Sequence, residues 1–222
     1  MAAKSLIHSA GEIRLSNASE HSATGTPASR PPEHWHCRGR LPHWEGGAIP
    51  QGITFRLYDS LPQCLLDQWR NELAALADKR PDRERERRMD AALDAGYGSC
   101  WLRVPRIAAL VEGALLHFDG QRYHLHAWVV MPNHVHVLVT PFAGEPLSAL
   151  LHGWKSFTAK AANKFLRRRG AFWQDEYFDR AIRDERHFNA ALVYIENNPV
   201  AAGLCAEPSD WPFGSASRRR NG

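Results

Sequence analysis

The most constraining feature of the sequence is a pair of apolar runs at residues 123–140, YHLHAWVVMPNHVHVLVT. Both runs are rich in β-branched and aromatic residues, and Met131, Pro132 and Asn133 interrupt the pattern between them. Short runs of this kind, joined by a turn that contains proline and asparagine, are typical of a β-hairpin. The chain is therefore expected to fold around an antiparallel strand pair formed by these two runs.

Two histidines, His134 and His136, lie in the second apolar run. Side chains two residues apart in a strand point to the same face, so both imidazoles are expected to project together. Neutral imidazoles are common metal ligands, and this arrangement suits a metal ion. Histidines packed in a core are the more frequent outcome, so the pair alone leaves both interpretations open.

The periodicity of apolar residues elsewhere predicts two more strands and several helices. Strands are expected in QGITFRLY and YFDRAI, and helices after Ser60, from Pro105, over LSALLHGWKSFTAKAANKFLRRR and after Asp184. The order strand, helix, strand, strand, helix, strand predicts an α+β fold with a ferredoxin-like split βαβ sheet. We expect helices on one face of this sheet and a C-terminal helix that carries catalytic residues. The charged run RPDRERERRMD is interpreted as a solvated helix or linker rather than a site.

Composition divides the chain into an extension, one domain and a short tail. Residues 1–33 are rich in Ser, Ala, Thr and Pro and are expected to be a disordered extension. Residues 34–217 are expected to form one domain, and residues 218–222 a basic tail. The four cysteines form no CxxC pair, and no apolar run reaches the roughly eighteen residues of a membrane span. A reduced cytoplasmic location is therefore expected.

The expected C-terminal helix contains ERHFNAALVYIENNPV, in which Tyr194 and Asn198 are four residues apart. They therefore lie on one face of the helix. Next to two histidines, a tyrosine and an amide suggest a metal-assisted nucleophile, in which the phenol attacks phosphorus. The alternative is that Tyr194 only packs the helix and Asn198 caps its C-terminus, and composition alone favours this alternative.

Four motifs in this order resemble the single-tyrosine HUH transposases, in particular the REP-associated tyrosine transposases of the IS200-like group. They are MPNHVHVLV, WKSFTAKAANKF, FWQDEYFDRAIRDE and YIENNPVAAGL. The resemblance runs from about Arg38 to Ser217 and does not include residues 1–33. It implies a ferredoxin-like nuclease domain that cuts single-stranded DNA near imperfect hairpins. It also implies a 5′-phosphotyrosine intermediate and a free 3′-hydroxyl.

The resemblance implies roles for individual residues of this chain. His134 and His136 match the metal ligands of the family, and Tyr194 matches its nucleophile. Asn198 falls where the family places a third, polar ligand. The implied cofactor is Mg²⁺ or Mn²⁺, whereas imidazole ligands alone favour Zn, Fe, Ni or Cu. Mn²⁺ reconciles these two arguments most easily.

Three further residues are candidates for supporting roles. His126 lies in the first strand of the hairpin, from which it could approach the site. His187 lies two turns before Tyr194 and could contact DNA or the phenol. Tyr177, beside an aromatic cluster, is the main rival of Tyr194 as nucleophile.

The segment from Leu147 to Arg169 carries basic residues and no acidic residue, in a chain whose net charge is +4. Basic residues without acidic partners favour contact with phosphate over a merely solvated helix face. The expected DNA contacts are Lys155, Lys160, Lys164, Arg167 and Arg168.

Aromatic residues provide a second set of candidate DNA contacts. In the same helix Trp154, Phe157 and Phe165 are at core spacing and are expected to face inward. Tryptophans in less regular segments are the candidates for base stacking. They are Trp35, Trp44 and Trp173.

Three functions are compatible with these patterns: a DNA-cleaving and rejoining transposase-like enzyme, a non-catalytic hairpin-binding regulator, and a replication initiator or relaxase. Intact His134, His136 and Tyr194 argue against the regulator. The third class usually carries extra domains, for which 222 residues leave little room. The expected partner is single-stranded or hairpin DNA rather than a membrane. Both a monomer and a homodimer remain open.

Overall fold

The computed structural model describes residues 35–38, 41–44, 48–75 and 81–221 of the chain. The expected disordered extension, residues 1–33, lies outside these ranges. The strands of the described part are β1 (Trp35–Arg38), β2 (Leu41–Trp44), β3 (Gln51–Arg56), β4 (Tyr123–Val130), β5 (His134–Pro141) and β6 (Phe178–Ala181). Its α-helices are α1 (Gln63–Ala75), α2 (Pro81–Asp94), α3 (Pro105–Leu116), α4 (Leu147–Phe165), α5 (Glu185–Ala201) and α6 (Ser215–Asn221).

The central sheet has the strand order β4-β5-β3-β6, and every neighbouring pair is antiparallel. The expected hairpin is β4–β5, with α3 before it in the chain and α4 between it and β6. The ferredoxin-like α+β fold class is therefore confirmed. Strands β1 and β2 pair with each other in a separate two-stranded sheet, and α1 and α2 are added between β3 and α3.

Strand β5 contributes side chains to both faces of the sheet. One set of alternate residues packs in the larger core with α3 and α4, namely Val135, Val137 and Val139. His134, His136 and Leu138 alternate with this set and point to the other face, where Leu138 packs with Ile195 of α5. Helices α3 and α4 thus share one face, as expected, while the C-terminal helix α5 covers the opposite face and lies over the histidines.

The buried face of α4 differs from the expected one. Phe157 and Phe165 are 58% and 43% exposed, whereas Thr158 is buried beside Trp154. One 3.6-residue turn after Trp154 falls between positions 157 and 158, so the periodicity alone does not choose between them. The Thr158 hydroxyl makes two buried hydrogen bonds, as donor to Trp154 O (2.6 Å) and as acceptor from Trp173 Nε1 (2.9 Å). These bonds favour the threonine at the inward position.

The expected role of Trp173 in base stacking is wrong. This tryptophan is 4% exposed, and its ring packs edge-on against Phe55 with a centroid distance of 4.9 Å. A buried indole has no face available for a nucleotide base. The side chains of the other two stacking candidates, Trp35 and Trp44, lie outside the described part of the chain.

The part of the charged run that the structure describes, residues 81–90, is neither a linker nor a fully solvated helix. It forms most of α2, whose apolar side packs with Leu61 through Met89, Ala92 and Leu93. The expected basic tail is helical as well, because its arginines lie in α6. None of the helices in the described part is both long and apolar enough to cross a membrane.

Candidate metal and nucleophile site

His134 and His136 converge on one point from the middle of the sheet. They are 0% and 2% exposed, and their Nε2 atoms lie 3.0 Å apart with the rings nearly perpendicular, at 85°. Strand β5 is paired on both sides, so His136 lies between Thr54 of β3 and Val129 of β4. The backbone positions of both histidines are therefore fixed by the sheet.

A polar partner holds the far side of each imidazole. The Nδ1 atom of His134 lies 2.8 Å from Asn133 Oδ1, and that of His136 lies 2.8 Å from Thr54 Oγ1. The Asn133 amide nitrogen donates to the carbonyl of Tyr97 at 3.0 Å, which turns Oδ1 toward His134. His134 therefore donates from Nδ1 and carries a lone pair on Nε2. Contacts of this kind orient imidazoles that bind metals.

Burial keeps both imidazoles neutral. Desolvation lowers the pKa of His136 to about 4. Desolvation also lowers the pKa of His134 well below its ordinary value, and the neighbouring His136 lowers it further. Neutral imidazole is the form that binds metal ions, so both side chains are ready to do so at pH 7.

Tyr194 of α5 lies directly beside the histidine pair. Its ring is 5.6 Å from the ring of His136, centroid to centroid, and 46% of the residue is exposed. The hydroxyl donates a 2.8 Å hydrogen bond to Asp90 Oδ2 of α2. Burial raises the pKa of Tyr194, and the negative charge of Asp90 raises it further. The phenol is therefore protonated at neutral pH.

Asn198 lies one turn after Tyr194 and is buried. Its amide interacts with both Tyr194 and His134, yet its Oδ1 atom has no hydrogen-bond partner. Helix α5 continues past Pro199 to Ala201, so Asn198 is not the C-terminal cap of this helix. The capping alternative is therefore excluded.

Helix α2 adds two carboxylates that the sequence patterns did not identify. Asp94 Oδ1 lies 3.9 Å from His134 Nε2 and is buried without a hydrogen-bond partner. Burial, with a smaller contribution from Asp90, raises the pKa of Asp94 to about 6. The sequence pattern that could have identified them is the four-residue spacing of Asp90 and Asp94, which places both on one face of a helix.

The residues around His134 and His136 fit a divalent cation. Among the described residues, no three His, Cys, Asp or Glu side chains converge closely enough to hold a metal by themselves. Ligands at right angles around a cation, each at about 2.1 Å, are about 3.0 Å apart, which is the Nε2 separation observed here. The oxygens of Asn198 and Asp94, both without hydrogen-bond partners, are the type of donor that Mg²⁺ and Mn²⁺ prefer. Two nitrogens and one or two oxygens are thus available, and phosphate or water would complete the shell.

Tyr194 and Asp90 separate two cavities of about 310 Å³ each. The first cavity lies between α5 and strands β3 and β6 and is also lined by His136 and His187. The second lies between α2 and α5 and is also lined by Asn198. The phenol hydroxyl is therefore next to space on both sides, in which a nucleotide could be placed.

The three supporting candidates occupy different places. The backbone N–H of His187 donates to Asp184 at the start of α5, and the side chain lines the first cavity with Tyr194. His126 lies at a β-bulge, where its Nε2 is 2.8 Å from Thr140 Oγ1. Tyr177 is buried in the core formed with α3 and α4. Of these three residues, His187 lines the first cavity together with Tyr194.

The basic residues of α4 lie on the opposite side of the sheet from the histidines, and Arg167 and Arg168 follow the end of this helix. Lys160, Lys164 and Arg167 are exposed. Lys155 instead donates 2.7 Å hydrogen bonds to two backbone carbonyls, those of residues 174 and 175. Arg168 donates to the carbonyl of residue 171 at 3.0 Å. The predicted DNA contacts thus comprise three exposed side chains and two that already have protein partners.

Comparison with known proteins identifies relatives of part of the chain. Residues 115–198 match the family described as Transposase IS200 like. The REP-associated tyrosine transposase of Escherichia coli (strain K12) is 32% identical over 101 residues, which are 43% of this chain and 56% of that protein. The aligned region thus spans little more than half of this relative.

A solved structure of a REP-associated tyrosine transposase bound to a REP hairpin has the same fold. The TM-score is 0.53 at 20% sequence identity, over 82% of this chain and 84% of the other. The matched family segment, residues 115–198, contains both histidines, Tyr194 and Asn198. The resemblance indicated by the sequence motifs is therefore confirmed: the chain is similar in sequence to the IS200-like, REP-associated tyrosine transposases over part of its length and shares the fold of one of them.

Proposed function

We propose that this protein is a metal-dependent single-stranded DNA endonuclease and strand transferase that cuts near hairpin DNA. The observation that carries the proposal is the position of the Tyr194 hydroxyl. It lies at the boundary of two cavities, next to two buried, neutral imidazoles whose Nε2 atoms face each other. A nucleophile beside a site suited to a cation is the arrangement required for attack on a phosphodiester.

His134, His136 and Asn198 would hold the cation, and Asp94 is positioned to add a carboxylate oxygen. When bound, Mg²⁺ or Mn²⁺ would neutralise charge on the oxygens of the scissile phosphate. Asn133 and Thr54 would keep the imidazoles oriented through their Nδ1 atoms.

In the proposed reaction Tyr194 Oη forms a bond to phosphorus, and the bond from phosphorus to the 3′ oxygen breaks. The phenol proton leaves, the 3′ oxygen gains a proton, and the 5′ end stays attached to the tyrosine. The new phosphodiester retains the bond energy, so attack by a 3′-hydroxyl rejoins DNA without ATP. One tyrosine can therefore both cut and join.

Two features support hairpin DNA as the substrate. The solved relative with the same fold binds a REP hairpin, and helix α4 presents exposed lysines without acidic neighbours on the helix. These lysines lie across the sheet from Tyr194, so the paired stem and the cleaved strand would contact different surfaces of the protein.

The test is formation of a covalent adduct with single-stranded DNA that carries an imperfect palindrome able to fold into a hairpin. Wild-type protein with Mn²⁺ should give a slower gel band that protease removes, and peptide mapping should place the DNA on Tyr194. Tyr194→Phe keeps the ring and deletes only the hydroxyl, so it should bind DNA but form no adduct.

Two other tyrosines provide controls for this test. Tyr177→Phe removes the hydroxyl of the rival nucleophile, and Tyr58→Phe removes that of an exposed tyrosine. Both variants should still form the adduct. Hairpin binding without an adduct in the wild type would instead identify a non-catalytic regulator.

A further inference from the structure

Helix α2 brings a carboxylate to the nucleophile from a distant part of the chain. Asp90 Oδ2 accepts the hydrogen bond of Tyr194 Oη at 2.8 Å, although the two residues are 104 positions apart. Asp90 also precedes residues 115–198, the segment that matches the transposase family. This contact therefore adds a group to the site that the family segment does not contain.

Attack by Tyr194 requires a base. An unperturbed phenol has a pKa of about 10, so it is mostly protonated at neutral pH. The phenolate is therefore not formed in advance, and the proton must leave as the bond to phosphorus forms. A base within hydrogen-bond reach of the hydroxyl can accept it.

The other groups near the phenol are poorly suited to accept this proton. Asn198 also approaches the hydroxyl, but an amide is not basic. His134 and His136 direct their Nε2 atoms at each other and are the proposed cation ligands. Nδ1 of His187 accepts a 3.4 Å hydrogen bond from the backbone N–H of Arg183, which lies just before α5. In the described part of the chain, Asp90 combines basicity with a direct hydrogen bond to Oη.

We propose that Asp90 is a catalytic residue, which accepts the Tyr194 proton during strand cleavage and returns it during rejoining. The inference rests on the proposed function of Tyr194. As the Oη–phosphorus bond forms, the proton passes to Asp90 Oδ2, and the departing 3′ oxygen takes a proton from water. In the reverse reaction the phenolate leaves phosphorus and regains a proton from Asp90. Asp90 lines both cavities, so it can exchange protons with solvent between the two steps.

The first experiment compares wild type with Asp90→Asn. Asparagine has nearly the same shape and can still hydrogen-bond to the phenol, but it cannot take up a proton. Cleavage should slow by about 10²–10⁴-fold, with unchanged DNA affinity, and the slow product should still be attached to Tyr194. Cleavage by Asp90→Asn at the wild-type rate or faster would overturn the proposal, because Asp90 would then be only a restraint on the phenol.

A tyrosine analogue separates proton acceptance from positioning. A fluorinated tyrosine whose phenol ionises near neutral pH, introduced at position 194, needs no base. With this analogue, the ratio of the cleavage rate with Asp90 intact to the rate with Asp90→Asn should fall toward one. An unchanged ratio would show that Asp90 only positions the ring, and the proposal would fail.

Two further variants guard against loss of structure. Glu72→Gln removes an ion pair between α1 and Arg88 of α2 without contacting Tyr194, and it should leave the cleavage rate unchanged. If Asp90→Asn does not fold, Asp90→Ala replaces it. Asp90→Ala should cleave DNA slowly, and added formate should restore its cleavage rate. No recovery would count against proton acceptance. Absence of an adduct in wild type would refute the proposed function, and with it the role of Asp90. An adduct that forms equally fast without the Asp90 carboxylate would refute only the role of Asp90.

Discussion

The Nε2 atoms of His134 and His136 face each other at 3.0 Å, while the opposite side of each ring is held by a polar side chain. His134 carries its proton on Nδ1, because Asn133 presents an oxygen there. His136 must then either donate from Nε2 to His134 or direct a second lone pair at a cation. The hydroxyl of Thr54 can serve either state, since it can donate to or accept from Nδ1 of His136.

Removal of either imidazole should abolish metal binding and cleavage. His134→Ala and His136→Ala each delete one of two converging nitrogens, and EDTA should reproduce their effect on wild type. DNA affinity should be unchanged, because the exposed lysines of α4 lie on the other face of the sheet. Calorimetric Mn²⁺ titration, gel cleavage and DNA-binding assays measure the three quantities. His126→Ala, in the neighbouring strand, should retain the metal; cleavage at the normal rate by either of the first two variants contradicts the proposed site.

Loss of the Thr54 hydroxyl should weaken metal binding without removing a ligand. Thr54→Val keeps the shape of the side chain but leaves Nδ1 of His136 without its 2.8 Å partner. Deletion of such an outer contact typically costs about 10–100-fold in metal affinity, which Mn²⁺ titration can measure. Thr140→Val is the matched control, because Thr140 supports His126 instead. Equal losses in the two variants would mean that the threonine effect is not specific to the site.

Asp94→Asn should stabilise the metal-free protein at high pH. The pKa of Asp94 is raised by burial, from 3.8 to about 6. The folded state therefore holds this proton more tightly than the unfolded state, so ionisation of the carboxyl destabilises the fold. The destabilisation is absent below pH 3.8 and complete above about pH 6. Asparagine cannot ionise, so the melting temperature of the Asp94→Asn protein in EDTA should exceed that of wild type at pH 8 and match it near pH 4.

Added Mn²⁺ should raise the melting temperature of wild type above that of Asp94→Asn, which reverses the order expected in EDTA at pH 8. If the carboxylate contributes to cation binding, wild type gains more stability from a given Mn²⁺ concentration than Asp94→Asn does. An equal rise in melting temperature for both proteins would show that Asp94 is not a ligand. A lower melting temperature of Asp94→Asn in EDTA at pH 8 would contradict the stability argument.

Local periodicity predicted those parts of the site that depend on neighbours in the chain. Alternation in a strand placed His134 and His136 on one face, and the helical repeat placed Tyr194 and Asn198 together. The contact of Asp90 with Tyr194 depends instead on how α2 docks onto α5. No local repeat in the sequence specifies that docking. The apolar side of α2 was also missed, because most residues of the segment 80–90 are charged.

The buried face of α4 also could not be predicted from local periodicity alone. Positions 157 and 158 are both near one turn after Trp154, and hydrophobicity favours the phenylalanine at the inward position. Thr158 is buried because Trp173, distant in sequence, donates to its hydroxyl. Phe157 is consequently exposed on the helix that also carries Lys160 and Lys164.

DNA binding should depend on Lys160 and Lys164 more than on Lys155. Each exposed lysine that contacts a phosphate of single-stranded DNA contributes about 0.7 to the slope of log affinity against log salt concentration. Lys160→Ala and Lys164→Ala should each reduce the slope by about this amount. Lys155 already donates to two backbone carbonyls, and burial lowers its pKa. Lys155→Met should leave the slope unchanged and instead lower the free energy of unfolding by about 1–3 kcal/mol, because it leaves those carbonyls without a donor.

Fluorescence anisotropy at several salt concentrations, with a hairpin that carries a single-stranded flank, gives the slopes of all three variants. Urea unfolding of the same proteins gives their stabilities. A slope that falls only in Lys155→Met would place the phosphate contact near the start of β6 rather than along the exposed side of α4. Slopes that equal the wild-type slope in all three variants would remove α4 from the DNA interface altogether.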